Sequence, residues 1–306
     1  MTVTQAYTKE KIEMYYIIVN AAHLNGGKEK KLDIVKSVFE NAGKACEILP
    51  TQCKGDAKAI TERLTSAGES NTVIAMGGDG TLHDVLNGFK DFENCSLGLI
   101  PFGTGNDFAE AVGIPSDVKR AAEIIAFNEP QPIDFIEFNS GLRSMNAAGI
   151  GIDVDVVERA YAGKNQSRSK YAKALITSLK HYKSRKFTVR CDGIEEEHSG
   201  FIVSAANGKQ FGGGIKICPD ALVDDGYMDV FIVDYISKIK LLAALLKLMS
   251  GKVKKVKEAK TIRAKSVEVI PEDGKNNLQV DGELYYDLPF EAHIVAGQLK
   301  FYLPRK

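Results

Sequence analysis

The chain has 306 residues, 44% hydrophobic and 26% charged, which is enough for two modest cores and is ordinary for a globular protein. Its longest aliphatic block, Leu241–Leu246, is far short of the ~20 residues of a bilayer span. Met1–Met14 is polar and mixed in charge, with no secretory pattern, so the expectation is a cytoplasmic protein not inserted in a membrane. The 40 basic and 40 acidic residues cancel, yet Arg159–Lys186 holds nine Lys/Arg and no acid, and Lys238–Lys265 holds ten against Glu258 alone.

In chain order, Tyr15–Val19 reads as a buried strand, Asn20–Gly27 as a loop and Lys28–Ala42 as a helix. A short strand at Ala45–Leu49 and a helix at Asp56–Ala67 follow, then strands at Val73–Met76 and Leu97–Ile100, each leading into a helix. This βαβα order predicts a parallel sheet with helices on both faces, whose ligands sit at the carboxyl ends of the strands. Two glycine turns fall at those ends. The first is Gly77-Gly-Asp-Gly-Thr81, after which Leu82, Val85, Leu86 and Phe89 keep helical spacing. The second is Pro101-Phe-Gly-Thr-Gly-Asn-Asp107, with a helical pattern from Phe108. A strand, a glycine turn and a helix N-terminus present bare N–H groups to an anion, and glycine lets the main chain approach it closely. Two such turns in one half of the chain indicate a nucleotide site.

After about Asp134 the strands become short and alternating, which predicts a mostly antiparallel, β-rich second domain. Helical patterns at Ser169–Lys183 and Ser237–Met249 interrupt it and coincide with the two basic segments. The expected division is residues 1–135 for nucleotide binding, 136–295 for the β-rich domain, and 296–306 as a tail returning to the first domain. The five cysteines, with no CxxC pair and no His at ligand spacing, read as reduced thiols rather than zinc ligands.

Six motifs in order carry a resemblance. They are Gly77–Thr81, Pro101–Ala109 (PFGTGNDFA), Gly149–Asp153 (GIGID), Asn207–Gly214 (NGKQFGGG), Pro219–Met228 (PDALVDDGYM) and Val280–Glu283 (VDGE). Together they resemble, nearly end to end, the soluble lipid kinases that share the diacylglycerol kinase catalytic domain, bacterial diacylglycerol and phosphatidylglycerol kinases and sphingosine kinases among them. The resemblance implies an α/β domain with a parallel sheet joined to an antiparallel β-rich one, ATP and Mg²⁺, and transfer of the γ-phosphate to a lipid hydroxyl. Diacylglycerol leads as acceptor; phosphatidylglycerol, a sphingoid base and a polyprenol stay open.

By the same resemblance Gly77, Gly78, Asp79 and Gly80 cradle the triphosphate, with Thr81, Leu82 and His83 at the helix start. Thr104 is a second phosphate or ribose contact. Asn20 and Thr51 lie on the nucleotide side, although the turn after Asn20 departs from the family form. Asp79, Asp107 and Asp134 form an acidic network near the metal, with Asn106 beside them. The carboxylate of Asp225 and the carbonyls of Leu222 and Tyr227 form a secondary Mg²⁺ site, a set of hard oxygen ligands. Glu283 is the proton acceptor for the attacking hydroxyl, with Asp281 as alternative or helper. Asn207–Gly214 and Gly149–Asp153 line the cleft.

A kinase acting on a bilayer lipid must dock on an anionic surface, and the basic, amphipathic segment Ser237–Met249 suits that role. The protein is therefore expected at the inner face of the membrane, as a monomer or homodimer. No aromatics interleave with these charges, so nucleic acid is not an expected partner. An NAD kinase-like enzyme and a catalytically silent nucleotide-binding regulator are the competing readings.

Overall fold

The computed structural model describes residues 13–21, 29–66, 68–162 and 169–305. The loop after Ala21, the helix start at Lys28, Ala67, and Lys164 and Arg168 of the first basic segment lie outside the described residues. So do the side chains of Lys238, Leu241, Leu242 and Leu245.

The first half is β1 (Met14–Asn20), α1 (Glu29–Asn41), β2 (Cys46–Thr51), α2 (Asp56–Thr65), β3 (Asn71–Gly77), α3 (Asp79–Gly88), β4 (Ser96–Pro101), α4 (Asp107–Ala111) and α5 (Val118–Phe127). β2, β1, β3 and β4 lie side by side, all parallel. Every residue of β3 and β4 is buried, as expected for strands covered on both faces. α1 packs with α5 and α2 with α3. Register matters most here: Asn20 stands beside Thr51, and Gly77 beside Pro101. The carboxyl ends thus line up Asn20, Thr51 and both glycine turns on one edge.

The second half is β5 (Gln131–Phe138), β6 (Arg143–Ser144), β7 (Ala147–Gly151), α6 (Ile152–Ala162), α7 (Ser169–His181), β8 (Arg185–Cys191), β9 (Ile194–Ala206), β10 (Met228–Asp234), α8 (Lys238–Met249), β11 (Ala259–Ala264), β12 (Ser266–Pro271), β13 (Leu278–Val280), β14 (Glu283–Tyr285) and β15 (Phe290–Phe301). Its pairings are antiparallel. β15 serves both halves. Its first part pairs antiparallel with β12 and β5, the register shifts between Val295 and Leu299 where Gly297 takes a φ of +61°, and Lys300 then pairs parallel with Ser96 of β4.

α6 is a departure from the sequence reading. Val154, Val156 and Val157 are β-branched and read poorly as helix, yet Ile152, Val156 and Ala160 bury against the outer face of β9 and β10. The strand before it ends at Gly151, whose φ of +137° and whose approach to Phe201 leave no room for a Cβ. Tertiary packing overrides local preference there. All five cysteines are free thiols.

Candidate active site

The site begins with backbone. Gly78 caps α3 in an extended conformation, and the N–H groups of Thr81 and Leu82 return to its carbonyl at 3.0 and 3.1 Å. The amides at the very start of α3, those of Gly78–Gly80, have no intrahelical acceptor, the kind of group a helix N-terminus offers to an anion. A Cβ on Gly77 would lie 2.2 Å from Thr81 Oγ1, and one on Gly103 would lie 2.5 Å from Gly78 Cα. The two glycine turns therefore stack main chain on main chain. Asn106 closes the second turn, accepting from Gly103 N at 3.1 Å and donating to Gly103 O at 3.0 Å, in a left-handed conformation with φ of 57°.

Acidic side chains sit behind this floor. Asp79 accepts the Asp107 and Phe108 amides, each at 3.2 Å, and so caps α4. Asp107 in turn accepts Gln210 Nε2 at 3.2 Å and Gly213 N at 2.8 Å, tying the second glycine turn to the loop before β10. Burial, reinforced by the Asp107 charge, pushes the Asp79 carboxyl up to about 6. Asp134 does not join this pair, which corrects the expected network. Its carboxylate accepts Gly226 N and Gly297 N, both at 2.7 Å, so it clamps the loop before β10 to the kink in β15.

The wall of the groove is the turn between β13 and β14. Asp281, at φ of 51°, is caged. It accepts Ser144 Oγ at 2.7 Å, the amides of Met145, Asn146 and Ala147 at 3.0, 2.9 and 3.1 Å, and bonds His83 Nδ1 at 3.0 Å. Burial works to raise its carboxyl, but the His83 bond and charge and the bonds from Ser144 and Met145 overcome it and hold the group below the usual range. A carboxylate so committed has no position left for a substrate proton, which corrects its place as alternative base. His83 is corrected with it: the ring is 1% exposed, with Nε2 at 2.7 Å from Tyr285 OH, and faces the hairpin rather than a nucleotide. The Leu82 side chain, equally buried, packs in the core of the first half.

Glu283 has the opposite surroundings. Its side chain is 21% exposed, with Oε2 2.6 Å from Lys54 Nζ and Oε1 3.1 Å from Tyr161 OH. Oε1 would lie 3.3 Å from a Cβ on Gly80. The carboxylate thus overhangs the glycine floor across the junction of the two halves.

From this point an apolar cavity of about 260 Å³ runs into the second half. Gly78–Gly80, Thr104, Gly105, Asp107 and Asp281–Glu283 line its mouth; Ile152, Val156, Leu175, Leu179, Phe201, Phe231 and Leu248 line its body. Asp153, Gln279 and Asn146 border it as buried polar groups. Asn146 Oδ1 finds no hydrogen-bond partner. The Asp153 carboxylate makes no well-formed hydrogen bond although Gln279 and the Asp153 and Val154 amides lie beside it, and burial outweighs their help and raises it to about 7. The glycine-rich segments 149–153 and 207–214 both contribute to the lining, as the sequence suggested.

In the 222–227 loop Asp225 is held by its neighbours. Asp225 Oδ2 is 2.6 Å from Arg263 Nη2 and Oδ1 accepts Tyr227 N at 3.1 Å, while Arg263 and Lys265 lie over the Tyr227 ring at 4.6 and 5.3 Å from its centroid. In this arrangement the Asp225 carboxylate is paired with Arg263. Among the described residues no cluster of three or more His, Cys, Asp or Glu is placed to hold a metal. Beside the glycine floor the acids are Asp79 and Asp107, whose oxygens accept main-chain amides and Gln210, and Glu283, which faces Lys54 and Tyr161.

Lys54, Tyr161 and Ser144 escaped sequence reasoning. Lys54-Gly55-Asp56 leaves the carboxyl end of β2, so its place on the functional edge was legible. Tyr161 and Ser144 carried no local signal.

Comparison with known proteins agrees with this architecture. Residues 14–138 match the model of the diacylglycerol kinase catalytic domain, and residues 146–303 that of the YegS C-terminal NAD kinase beta sandwich-like domain. A probable lipid kinase YegS-like protein of Alcanivorax borkumensis is 30% identical over 273 residues, covering 87% of this chain and 89% of its own length. A diacylglycerol kinase of Mycobacterium tuberculosis is 31% identical over 260 residues, covering 82% and 83%. The crystal structure of a diacylglycerol kinase from Bacillus anthracis superposes with a TM-score of 0.78 at 25% identity, over 96% of this chain and 97% of that one.

Proposed function

The chain belongs to the YegS-like lipid kinases built on a diacylglycerol kinase catalytic domain, and from that premise we propose that it transfers the γ-phosphate of ATP to the free hydroxyl of diacylglycerol. The triphosphate rests on the Gly78–Gly80 amides at the positive end of α3, with Asn20 and Thr51 on the nucleotide side and Thr104 on the second turn. Mg²⁺ bound with the nucleotide supplies neutralisation of phosphate charge. Glu283 takes the hydroxyl proton as the substrate oxygen bonds to the γ-phosphorus and the bridging oxygen leaves with ADP. The His83–Asp281 pair holds the hairpin that carries Glu283 over Gly80.

One observation carries the lipid assignment: the cavity of about 260 Å³ that opens between Glu283 and the glycine floor is lined along its body by aliphatic and aromatic side chains. Such a lining suits a hydrocarbon occupant. An acyl chain in it leaves the glycerol hydroxyl at the mouth, beside the base.

α7 and α8 flank this cavity and form the proposed docking face. Leu175, Leu179 and Leu248 turn inward, while Ile176, Leu246 and Met249 are 47%, 62% and 49% exposed among exposed lysines such as Lys173, Lys180 and Lys240. No helix among the described residues is long and apolar enough to cross a membrane, so contact of this kind is made at the surface. Co-sedimentation with anionic vesicles should weaken at high salt; salt-indifferent binding would remove the basic helices from the account.

The decisive assay follows radiolabel from ATP, with Mg²⁺, into organic-extractable product using diacylglycerol within a lipid panel. Label in phosphatidic acid is the expected result. Label in another phospholipid would move the acceptor assignment, and label confined to the aqueous phase would overturn the lipid reading.

A further inference from the structure

Glu283 is the proposed base, yet its Oε2 faces the Lys54 ammonium at 2.6 Å and its Oε1 lies 3.1 Å from the Tyr161 hydroxyl, which is 2.7 Å from Gly282 O. An oxygen that already faces an ammonium is badly placed to receive a hydroxyl proton. Phosphoryl transfer also requires cations at the γ-phosphate, whereas the side chains pressing on the glycine floor are the acids Asp79, Asp107 and Glu283. Both needs meet in one residue. Lys54 lies on the turn between β2 and α2, at the same carboxyl edge as the floor.

The turn is fixed at its base and free at its tip. Asp56 accepts Gln52 N at 2.7 Å, Cys53 N at 3.0 Å and Cys53 Sγ at 3.1 Å, and Gly55 takes the left-handed φ of 89° that closes the turn. The Lys54 side chain is nevertheless 82% exposed. An ion pair this open contributes little to stability, so the ammonium can leave it at small cost. A phosphate offers it a stronger, charge-assisted partner. The Glu283 bond and charge also raise the Lys54 ammonium above its ordinary value, so it stays charged at working pH.

Building on the kinase reading, we propose that Lys54 is a catalytic residue handed between two partners: it pairs with Glu283 in the empty site and transfers to the γ-phosphate when ATP occupies the glycine floor. The single movement neutralises the phosphoryl group and frees the base, so Glu283 becomes available when there is a phosphate to transfer.

The test compares wild type, Lys54→Met and Lys54→Arg in the lipid assay, and measures binding of a non-hydrolysable ATP analogue and of ADP to each. Lys54→Met should lower kcat by about 10²-fold and weaken the ATP analogue roughly tenfold while leaving ADP affinity unchanged; Lys54→Arg should recover most of both. Glu283→Gln, which removes the competing carboxylate, should bind the ATP analogue more tightly than wild type. An unchanged or raised kcat in Lys54→Met, or equal losses for ADP and the ATP analogue, would overturn the handover and leave the kinase assignment standing. A wild type that labels no lipid would sink the kinase reading itself, and the two failures are thereby told apart.

Discussion

The glycine turns after β3 and β4 and the hairpin between β13 and β14 face the same groove but are built by different means. The floor is main chain: Gly78 and Gly103 touch backbone to backbone, and the groups offered to a ligand are amides. The wall is side chain: Asp281 is held by groups from α3, β6, β7 and the link between those strands, so that Glu283, two residues on, is set over Gly80 with only the exposed Lys54 and Tyr161 on its oxygens. A floor of amides is fixed by sterics and suits a ligand whose charge is constant. A wall of carboxylates has one member locked and one exchangeable, as a proton acceptor on a moving substrate requires. Floor changes should therefore appear in ATP affinity, and wall changes in turnover.

The largest expected effect is on the wall. Glu283→Gln keeps shape and removes the acceptor, so kcat should fall by about 10²–10⁴-fold with ATP affinity undiminished and melting temperature unmoved. A variant retaining wild-type kcat would take the base role from Glu283. Next comes the floor. Gly103→Ala places a Cβ 2.5 Å from Gly78 Cα and 2.9 Å from Gly78 N, with only main chain available to yield. A displacement approaching 1 Å there should cost on the order of 10²-fold in kcat/KM, expressed mainly in the KM for ATP, and about 1–3 kcal/mol of stability by overpacking. If Gly103→Ala lowered kcat alone, the division between floor and wall would fail.

Asp281→Asn probes the cage without emptying it. One oxygen becomes an NH₂ facing donors from Ser144, the amides of residues 145–147 or His83. The mismatch should cost about 1–3 kcal/mol in urea unfolding and lower kcat more than it raises the KM for ATP, because the hairpin carrying Glu283 loosens. A drop in stability with kcat unchanged would reduce the His83–Asp281 pair to architecture.

The same contrast explains what the sequence disclosed. Gly77–Gly80 and Gly103–Gly105 were legible because a chain that packs main chain on main chain and offers amides to an anion has few residues to choose from. Parallel order in the first half was legible from alternating strand and helix periods. The wall was only half legible. Val280-Asp-Gly-Glu283 stood out as a motif, but nothing local separates its two acids; that depends on Ser144, Met145, Asn146 and Ala147, more than 130 residues away in sequence. His83 was misassigned for the same reason, since its partners Asp281 and Tyr285 lie about 200 residues on. Arg263, which pairs with Asp225 of the 222–227 loop, reaches it through the pairing of β10 with β11, and that register is absent from local pattern.

The smallest effect concerns the buried acid in the cavity. Asp153 makes no well-formed hydrogen bond, and burial outweighs the help of Gln279 and the neighbouring amides and raises its carboxyl to about 7. In the unfolded chain the group titrates near 4, so between roughly pH 4 and 7 the folded protein binds the additional proton. Stability from this group is therefore present at low pH and declines as pH rises, by at most about 1.4 kcal/mol per pH unit. Asp153→Asn mimics the protonated acid and should remove that slope, so the stability difference between variant and wild type should move in the variant's favour from pH 5 to pH 8 in urea titrations. Part of the wild-type decline should persist in the variant, because Asp79, pushed up to about 6, titrates within the same range. A difference independent of pH would mean that the Asp153 carboxylate is solvated or paired, and a cavity polar enough to solvate it would no longer favour an acyl chain.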